Sequence, residues 1–529
     1  MTVAAQRLAD GAVIAGLMAA SAALSLATIA NRPETTNTAF LFQDQGLNLV
    51  VADTLLSGGS LYRDVVYLYG PIPAYLHAGF AALFGNTPIA YVRLLTLISC
   101  LDVGLAYALM RRAAGIPVAA AMTVGGIFTL ALIPGSIVGG LTSSVYVPLE
   151  RTVLLLLALS WEAPVARGAG RSFLIGSILG TLQGVRFGAA AVAGASILLI
   201  DVLYVAAACI SPSALRAWAR SLAAIAAGFI GLELIWIVHA FSTLPAEIAA
   251  DTVWPVYLLR SYSSWVTSEI RWLQWLGWRF MIAQYLVPLT AGVLGLVGLA
   301  GWVIVVRRDA GRGVHDGVAS TGAVFIPLCF YGLACFGYFR QVFHFRQFMW
   351  ALVPAAAWEL QRRGATLRIA TAVLWAPGAV TMFRYALLAA ATAPATVTVS
   401  LPSGGTIAAT PALADRIAFL KQFTSTETAG APVMYLAGGG GWYGAYKIPH
   451  ATRHVWFEGF DVIRPYEEQA FLEALNRTAA LNVCDRNDQT WPSVDGLPVL
   501  PFPPSIADPI RQRLVFWTSG AGCRVYHIR

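Results

Sequence analysis

The sequence predicts a polytopic α-helical membrane protein closed by a small soluble α/β segment, and three observations lead there. Of 529 residues, 57% are hydrophobic and only 12% charged, where an ordinary soluble chain is about a quarter charged. Mean hydropathy is +0.66, and the apolar residues come in runs of about 20 rather than alternating tens, which excludes an outer-membrane barrel and a one-span anchor. From Thr396 onward the composition changes to a soluble mixture of Gly, Pro, Asp, Glu and Thr. The formal charge of +8 resides largely in Arg residues of short interhelical loops. Membrane orientation accounts for them there, so no nucleic-acid partner is expected.

The first apolar run, Gly11 to Ala30, follows a single Arg7 and has no small-residue cleavage site, so it reads as a retained span. The loop 31–89 is polar at Asn31 to Asn37 and helical around Asp44 to Leu56, then turns at Ser57, Gly58 and Gly59. Its aromatic stretch Pro71 to Phe84 is too short to span and is expected to lie in the interface. Further runs occupy Ala90 to Met110, Pro117 to Val138, Val145 to Trp161, Phe173 to Val185, Gly188 to Cys209 and Ala217 to His239. Four more follow at Tyr285 to Val306, Ala319 to Tyr338, Phe348 to Leu360 and Ile369 to Ala393. That makes about eleven spans.

Arg111 and Arg112, Arg167 and Arg171, Arg216 and Arg220, Arg307, Arg308 and Arg312, and Arg362, Arg363 and Arg368 all fall on one side if the N-terminus is inside. This alternation requires Phe173 to Val185 and Gly188 to Cys209 to form a tight hairpin with Arg186 at its outer tip. A second outer loop, 241–284, sets Trp254, Trp265, Trp272, Trp275 and Trp278 among Arg260, Arg271 and Arg279, a density suited to lipid headgroups. The expected organisation is a transmembrane part, 1–395, and an extracytoplasmic α/β part, 396–529. The latter reads helix (Pro411 to Phe423), strand (Pro432 to Leu436), turn (Gly438 to Gly441), helix (Tyr466 to Arg477), strand (Ala480 to Cys484), a Pro-rich loop and a closing strand (Gly522 to Ile528).

Three motifs carry a resemblance. In the first outer loop stand Asp44, Tyr62 with Asp64, Gly70 and Pro71 with Tyr75, Phe84 with Gly85, and Arg93. The segment GTLQGVRFGAAAVAG places Arg186 at the hairpin, and FRQVFHFRQFMWALVP carries Arg340, His344 and Pro354. This pattern resembles the GT-C superfamily of membrane glycosyltransferases, the polyprenyl-phosphate-sugar-dependent group that includes protein O-mannosyltransferases and aminoarabinose transferases. The resemblance covers nearly the whole chain. It implies a GT-C-like fold in the bacterial inner membrane, with an outward-facing site that moves a sugar from a polyprenyl-phosphate donor to a hydroxyl of an envelope glycan, lipid or protein, with inversion. Where many members carry Asp-Glu, Asp44 is followed by Gln45, which leaves a divalent metal at that point open.

The residue types suit that chemistry. Sugar transfer needs a base for the acceptor hydroxyl, while a phosphate ester departs as a stable anion and needs no second acid. Asp44 is the first candidate base, although Asp also suits the N-cap of the helix that begins there. Asp64 is a second candidate or the partner of a loop Arg, and Glu150 a third or the partner of an Arg from another span. Arg186, Arg340, His344 and Arg346 fall at outer span ends, where they would hold a donor phosphate or snorkel to headgroups. Tyr62 and Tyr75 complete the substrate-binding set. His450 and His454 lie beside Pro449 and lack an Asp or Cys partner at ligand spacing, so no metal site is expected from them. Cys484 and Cys523 are alone in the outer segment, where neighbouring strands could bring them within bonding range or separate strands leave them as two buried thiols. The rival readings are a lipid or solute transporter, which calls for charged groups near mid-bilayer in repeated halves, and a non-catalytic envelope-assembly subunit.

Overall fold

The computed structural model describes residues 3–31, 45–67, 69–124, 145–164, 166–186, 188–207 and 212–253, together with 326–327, 329–330 and most of 396–529. The expected spans between 254 and 395, apart from those four residues, lie outside the described residues. Helix α1 runs Val3–Asn31, α2 Gln45–Leu56, α3 Pro71–Phe84, α4 Pro88–Ala113 and α5 Ile116–Met122. Then come α6 Tyr146–Ser160, α7 Ala169–Val185, α8 Ala189–Ala207, α9 Pro212–Thr243 and α10 Ala246–Val253. Among the described residues four helical segments are long and apolar enough to cross a membrane: Val3–Ala23, Pro88–Ala113, Ala189–Ala206 and Leu215–Thr243. This is a mostly helical membrane protein.

Local sequence explains the boundaries. Thr87 caps α4 by accepting the Ala90 amide at 3.2 Å, with Pro88 in the first turn where its missing donor costs nothing. Arg111 and Arg112 fill the last turn of α4, opposite the negative end of its dipole. Helices α7 and α9 pack so closely that a Cβ on Gly176 would stand 1.9 Å from the Ile225 carbonyl oxygen. Small residues are what allow helix backbones this approach in lipid.

Several charges inside the helical part are paired. Arg151 and Thr152 of α6 both bond the Asp102 carboxylate of α4. Arg167 and Asp201 meet at 2.9 Å, both wholly buried, with the Trp161 indole donating to the same carboxylate at 3.1 Å. Arg111 and the Tyr107 hydroxyl converge on Asp10 of α1. Removing one member of the Asp102 or Asp201 pair would strand its partner in low dielectric, a loss of about 3 to 5 kcal/mol.

In the C-terminal segment a two-stranded ribbon, β1 Val397–Ser400 with β2 Thr406–Ala409, precedes α11 Pro411–Gln422. Strands β3 Val433–Leu436 and β4 Ala480–Cys484 are parallel and joined through α12 Glu468–Asn476. A short ladder, β5 Ser493–Val494 with β6 Leu497–Pro498, leads to helix α13 Pro504–Arg511 and strands β7 Leu514–Gly520 and β8 Cys523–Ile528. The four-stranded sheet has the order β3-β4-β8-β7. Its faces alternate: Met434 and Leu436 join Phe471, Leu481 and Ile506 on one side, while Val433 and Tyr435 join Ile417, Leu420 and Val525 on the other.

The Pro-rich loop expected before the last strand contains α13 and β7. Pro504 occupies the first turn of α13, where proline is tolerated, and β7 turns into β8 through Ala521 and Gly522, both at positive φ as a tight hairpin requires. Cys484 and Cys523 face each other in the β4–β8 register and are disulfide-bonded.

Candidate active site

The loop between α1 and α4 is built around a strained turn. Gly58 takes φ 84° to end α2, and four residues on Tyr62, a non-glycine residue, is held at φ 67°. A left-handed tyrosine costs on the order of 1 kcal/mol and persists only where its surroundings fix it. Here every handle is taken. The Tyr62 amide donates to the Val65 carbonyl at 2.9 Å, its hydroxyl donates to the Tyr69 carbonyl at 2.6 Å, and its own carbonyl accepts from the Arg453 guanidinium. Its ring lies edge-on to Trp236 of α9, 5.9 Å between centroids. Burial pushes its phenol well above the usual range.

Asp64 closes the turn. Its carboxylate accepts the Ser60 amide at 2.6 Å and pairs with Arg63 at 2.8 Å. The Arg63 bond outweighs partial burial and, with the Ser60 amide, holds the carboxyl below its ordinary value. Asp64 is therefore ionised and part-exposed at neutral pH.

Further along, the loop meets the hairpin of α7 and α8. The Gly70 amide donates to the Val185 carbonyl at 3.2 Å, and a Cβ on Gly70 would lie 2.1 Å from the Gly184 carbonyl oxygen. Tyr69 stacks on Tyr146 of α6 at 3.8 Å. Arg186, capping α7 at the hairpin tip, stands 5.8 Å over the same Tyr146 ring and donates to Glu150 at 3.1 Å. Both partners are buried, Glu150 at 1% and Arg186 at 7% exposure. Two motifs read separately in the sequence thus converge on one aromatic, basic wall.

A cavity of about 420 Å³ opens beside α3. Leu55, Gly59, Ser60, Tyr75, Trp236 and His239 line it. The Tyr75 hydroxyl stands 3.4 Å from His239 Nε2. Gly59 borders both this space and Asp64, so the Asp64 turn forms one of its margins.

The C-terminal segment grips the same loop. The Val66 amide donates to the Arg453 carbonyl at 2.8 Å. Arg453 and His454 both reach the Glu467 carboxylate, His454 at 3.2 Å, and Arg464 pairs with Asp251 of α10 at 2.6 Å. Burial acts to raise Glu467, but His454, Arg453 and the Arg464 amide prevail and hold it at about 2. Tyr62, Val65 and Val66 share a buried cluster with Val433, Tyr435 and Val525 of the sheet.

Of the residues singled out from sequence, Tyr62, Asp64, Tyr75, Glu150 and Arg186 are placed as above. Asp44, Arg340, His344 and Arg346 lie outside the described residues. Glu150 meets Arg186, the ion-pair partner foreseen as one of its two readings. Sequence reasoning did not find Arg453, Tyr69 or Tyr146, whose partners are remote along the chain. Among the described residues no group of three or more His, Cys, Asp or Glu side chains could hold a metal ion.

No protein-family model matches the chain, and no curated protein does. Among solved structures it is similar to ArnT from Cupriavidus metallidurans bound to undecaprenyl phosphate, with TM-score 0.47 and 13% identity over 98% of each chain. It is also similar to the Archaeoglobus fulgidus oligosaccharyltransferase in complex with Zn and sulfate, with TM-score 0.49 and 13% identity over 97% of this chain and 73% of that one. A second structure of that protein, tethered to an acceptor peptide containing the NVT sequon, gives 0.41 and 12% over 89% and 68%.

Proposed function

We propose that this protein is a GT-C-type glycosyltransferase of the bacterial inner membrane. In this reading it moves a sugar, with inversion, from a polyprenyl-phosphate donor to a hydroxyl of an envelope glycan, lipid or protein on the outer face. The observation that supports it best is the convergence of the Tyr62–Pro71 motif and the Arg186 hairpin on the Tyr69–Tyr146 wall. Residues 1–395 form the catalytic membrane part and 396–529 an extracytoplasmic part.

Asp44 takes the proton of the acceptor hydroxyl, whose oxygen attacks the anomeric carbon while the bond to the phosphate oxygen breaks. The leaving phosphate ester carries the electron pair away as an anion, so no general acid is required. Arg186, with Arg340, His344 and Arg346, receives that anion, and a planar guanidinium suits paired phosphate oxygens. Glu150 holds Arg186 over Tyr146. Tyr75 lines the substrate path, Tyr62 fixes the turn beside it, and Asp64 is the alternative base.

The test is transfer by purified Asp44→Asn with donor binding measured separately. Loss of transfer with donor binding retained is expected. Transfer within a few-fold of wild type would move the base to Asp64.

A further inference from the structure

We infer that Arg453 is a positioning residue for the Tyr62–Asp64 turn, so that the C-terminal segment completes the site of the membrane part. This rests on the transferase reading above. Arg453 lies 391 residues from Tyr62 and is its carbonyl's partner. Its own backbone carbonyl takes the Val66 amide, so the loop is held on both sides of Asp64 by one residue. The guanidinium is in turn fixed by Glu467, which the Arg464 amide bonds at 3.1 Å and His454 at 3.2 Å.

The held conformation is one that the loop would not keep alone. A left-handed φ is uncommon outside glycine, asparagine and aspartate, and the tyrosine side chain, unlike those of asparagine and aspartate, is too long to bond its own backbone. Fixing that residue fixes the next two, because the Tyr62 amide closes on Val65 and the Asp64 amide on Ser60. The direction in which the Asp64 carboxylate leaves the turn therefore depends on a guanidinium delivered by the C-terminal segment. The groups facing Asp64 come from both halves: Arg63 beside it, and His450 of the C-terminal segment. The arrangement makes the site competent only while the C-terminal segment is docked.

The experiment uses full-length protein in lipid nanodiscs, with undecaprenyl-phosphate mannose and undecaprenyl-phosphate aminoarabinose offered in turn as donors and an envelope lipid extract as acceptor. Arg453→Ala is compared with Arg453→Lys and with Arg513→Ala, which removes an arginine elsewhere in the same segment. For Arg453→Ala the expectation is a fall in kcat of about 100-fold, the effect of a misplacement near 1 Å, with donor KM within a few-fold. Amide exchange at residues 60–66 should rise about tenfold while exchange in the sheet stays as in wild type. Lysine should restore part of kcat, and Arg513→Ala should match wild type. An unchanged kcat, or a kcat that falls only in step with the folded fraction, overturns the inference. If wild type transfers neither sugar, the transferase reading fails first, and exchange at 60–66 still decides whether Arg453 holds the turn.

Discussion

The sharpest consequence of the loop–hairpin contact concerns two glycines that look interchangeable in the sequence. Gly70 has φ −62° and ψ 164°, which any residue adopts, so Gly70→Ala introduces no backbone strain and tests space alone. The added Cβ would meet the Gly184 carbonyl carbon and oxygen at 2.3 and 2.1 Å, whereas carbon and oxygen normally approach no closer than about 3.3 Å. Backbone cannot swing aside as a side chain does, so the loop must retreat by more than an ångström. That stretches the 3.2 Å Gly70–Val185 bond and parts the Tyr69–Tyr146 stack. With the strain of overpacking, the loss is about 3 to 4 kcal/mol. Gly184→Ala differs, because its Cβ would meet only the Ile72 side chain, at 2.7 and 3.0 Å. A rotamer change accommodates that for about 1 kcal/mol. Unfolding of the two purified variants in mixed micelles measures both values. A Gly70→Ala protein within about 0.5 kcal/mol of wild type, or equal losses in the two variants, would refute the contact.

Arg186→Ala should weaken binding of undecaprenyl phosphate by about 1.5 to 3 kcal/mol, read by titration, and an unchanged affinity would place the phosphate elsewhere. The Cys484–Cys523 bond, with a sequence separation of 39, should contribute about 4 kcal/mol to the C-terminal segment through its unfolded state. Peptide mapping without reductant should recover the linked pair, and Cys523→Ser should lower the unfolding midpoint of that segment. Glu467 has a folded value of about 2 against an ordinary 4.5. Its contribution is therefore complete above pH 4.5 and lost as pH falls toward 2, about 3 kcal/mol in all. Glu467→Gln should remove that slope from the acid unfolding profile.

Local signals served well where an element depends on its own residues. The helix Pro71–Phe84 and the strand Ala480–Cys484 have the bounds read from the sequence, because a proline with a following glycine, and a short apolar run before a polar break, mark them without outside help. The hairpin at Arg186 was legible for another reason: basic loops could alternate in side only if the chain reversed there. Helix Pro504–Arg511 was hidden because its prolines argue for a loop, and only burial of Ile506 and Ile510 against the sheet outweighs them. The site divides in the same way. Asp64 and Arg186 stood out by charge and place, but what orients them did not. Tyr69 and Tyr146 look like ordinary interfacial aromatics until they stack, and Arg453 like one surface arginine of a soluble segment until its guanidinium is found on the Tyr62 carbonyl. A single sequence carries the identity of a reactive group in its own residue, whereas the means of holding it are spread over partners that only the fold brings together. Positioning groups such as Arg453 are for that reason the ones to seek in the structure.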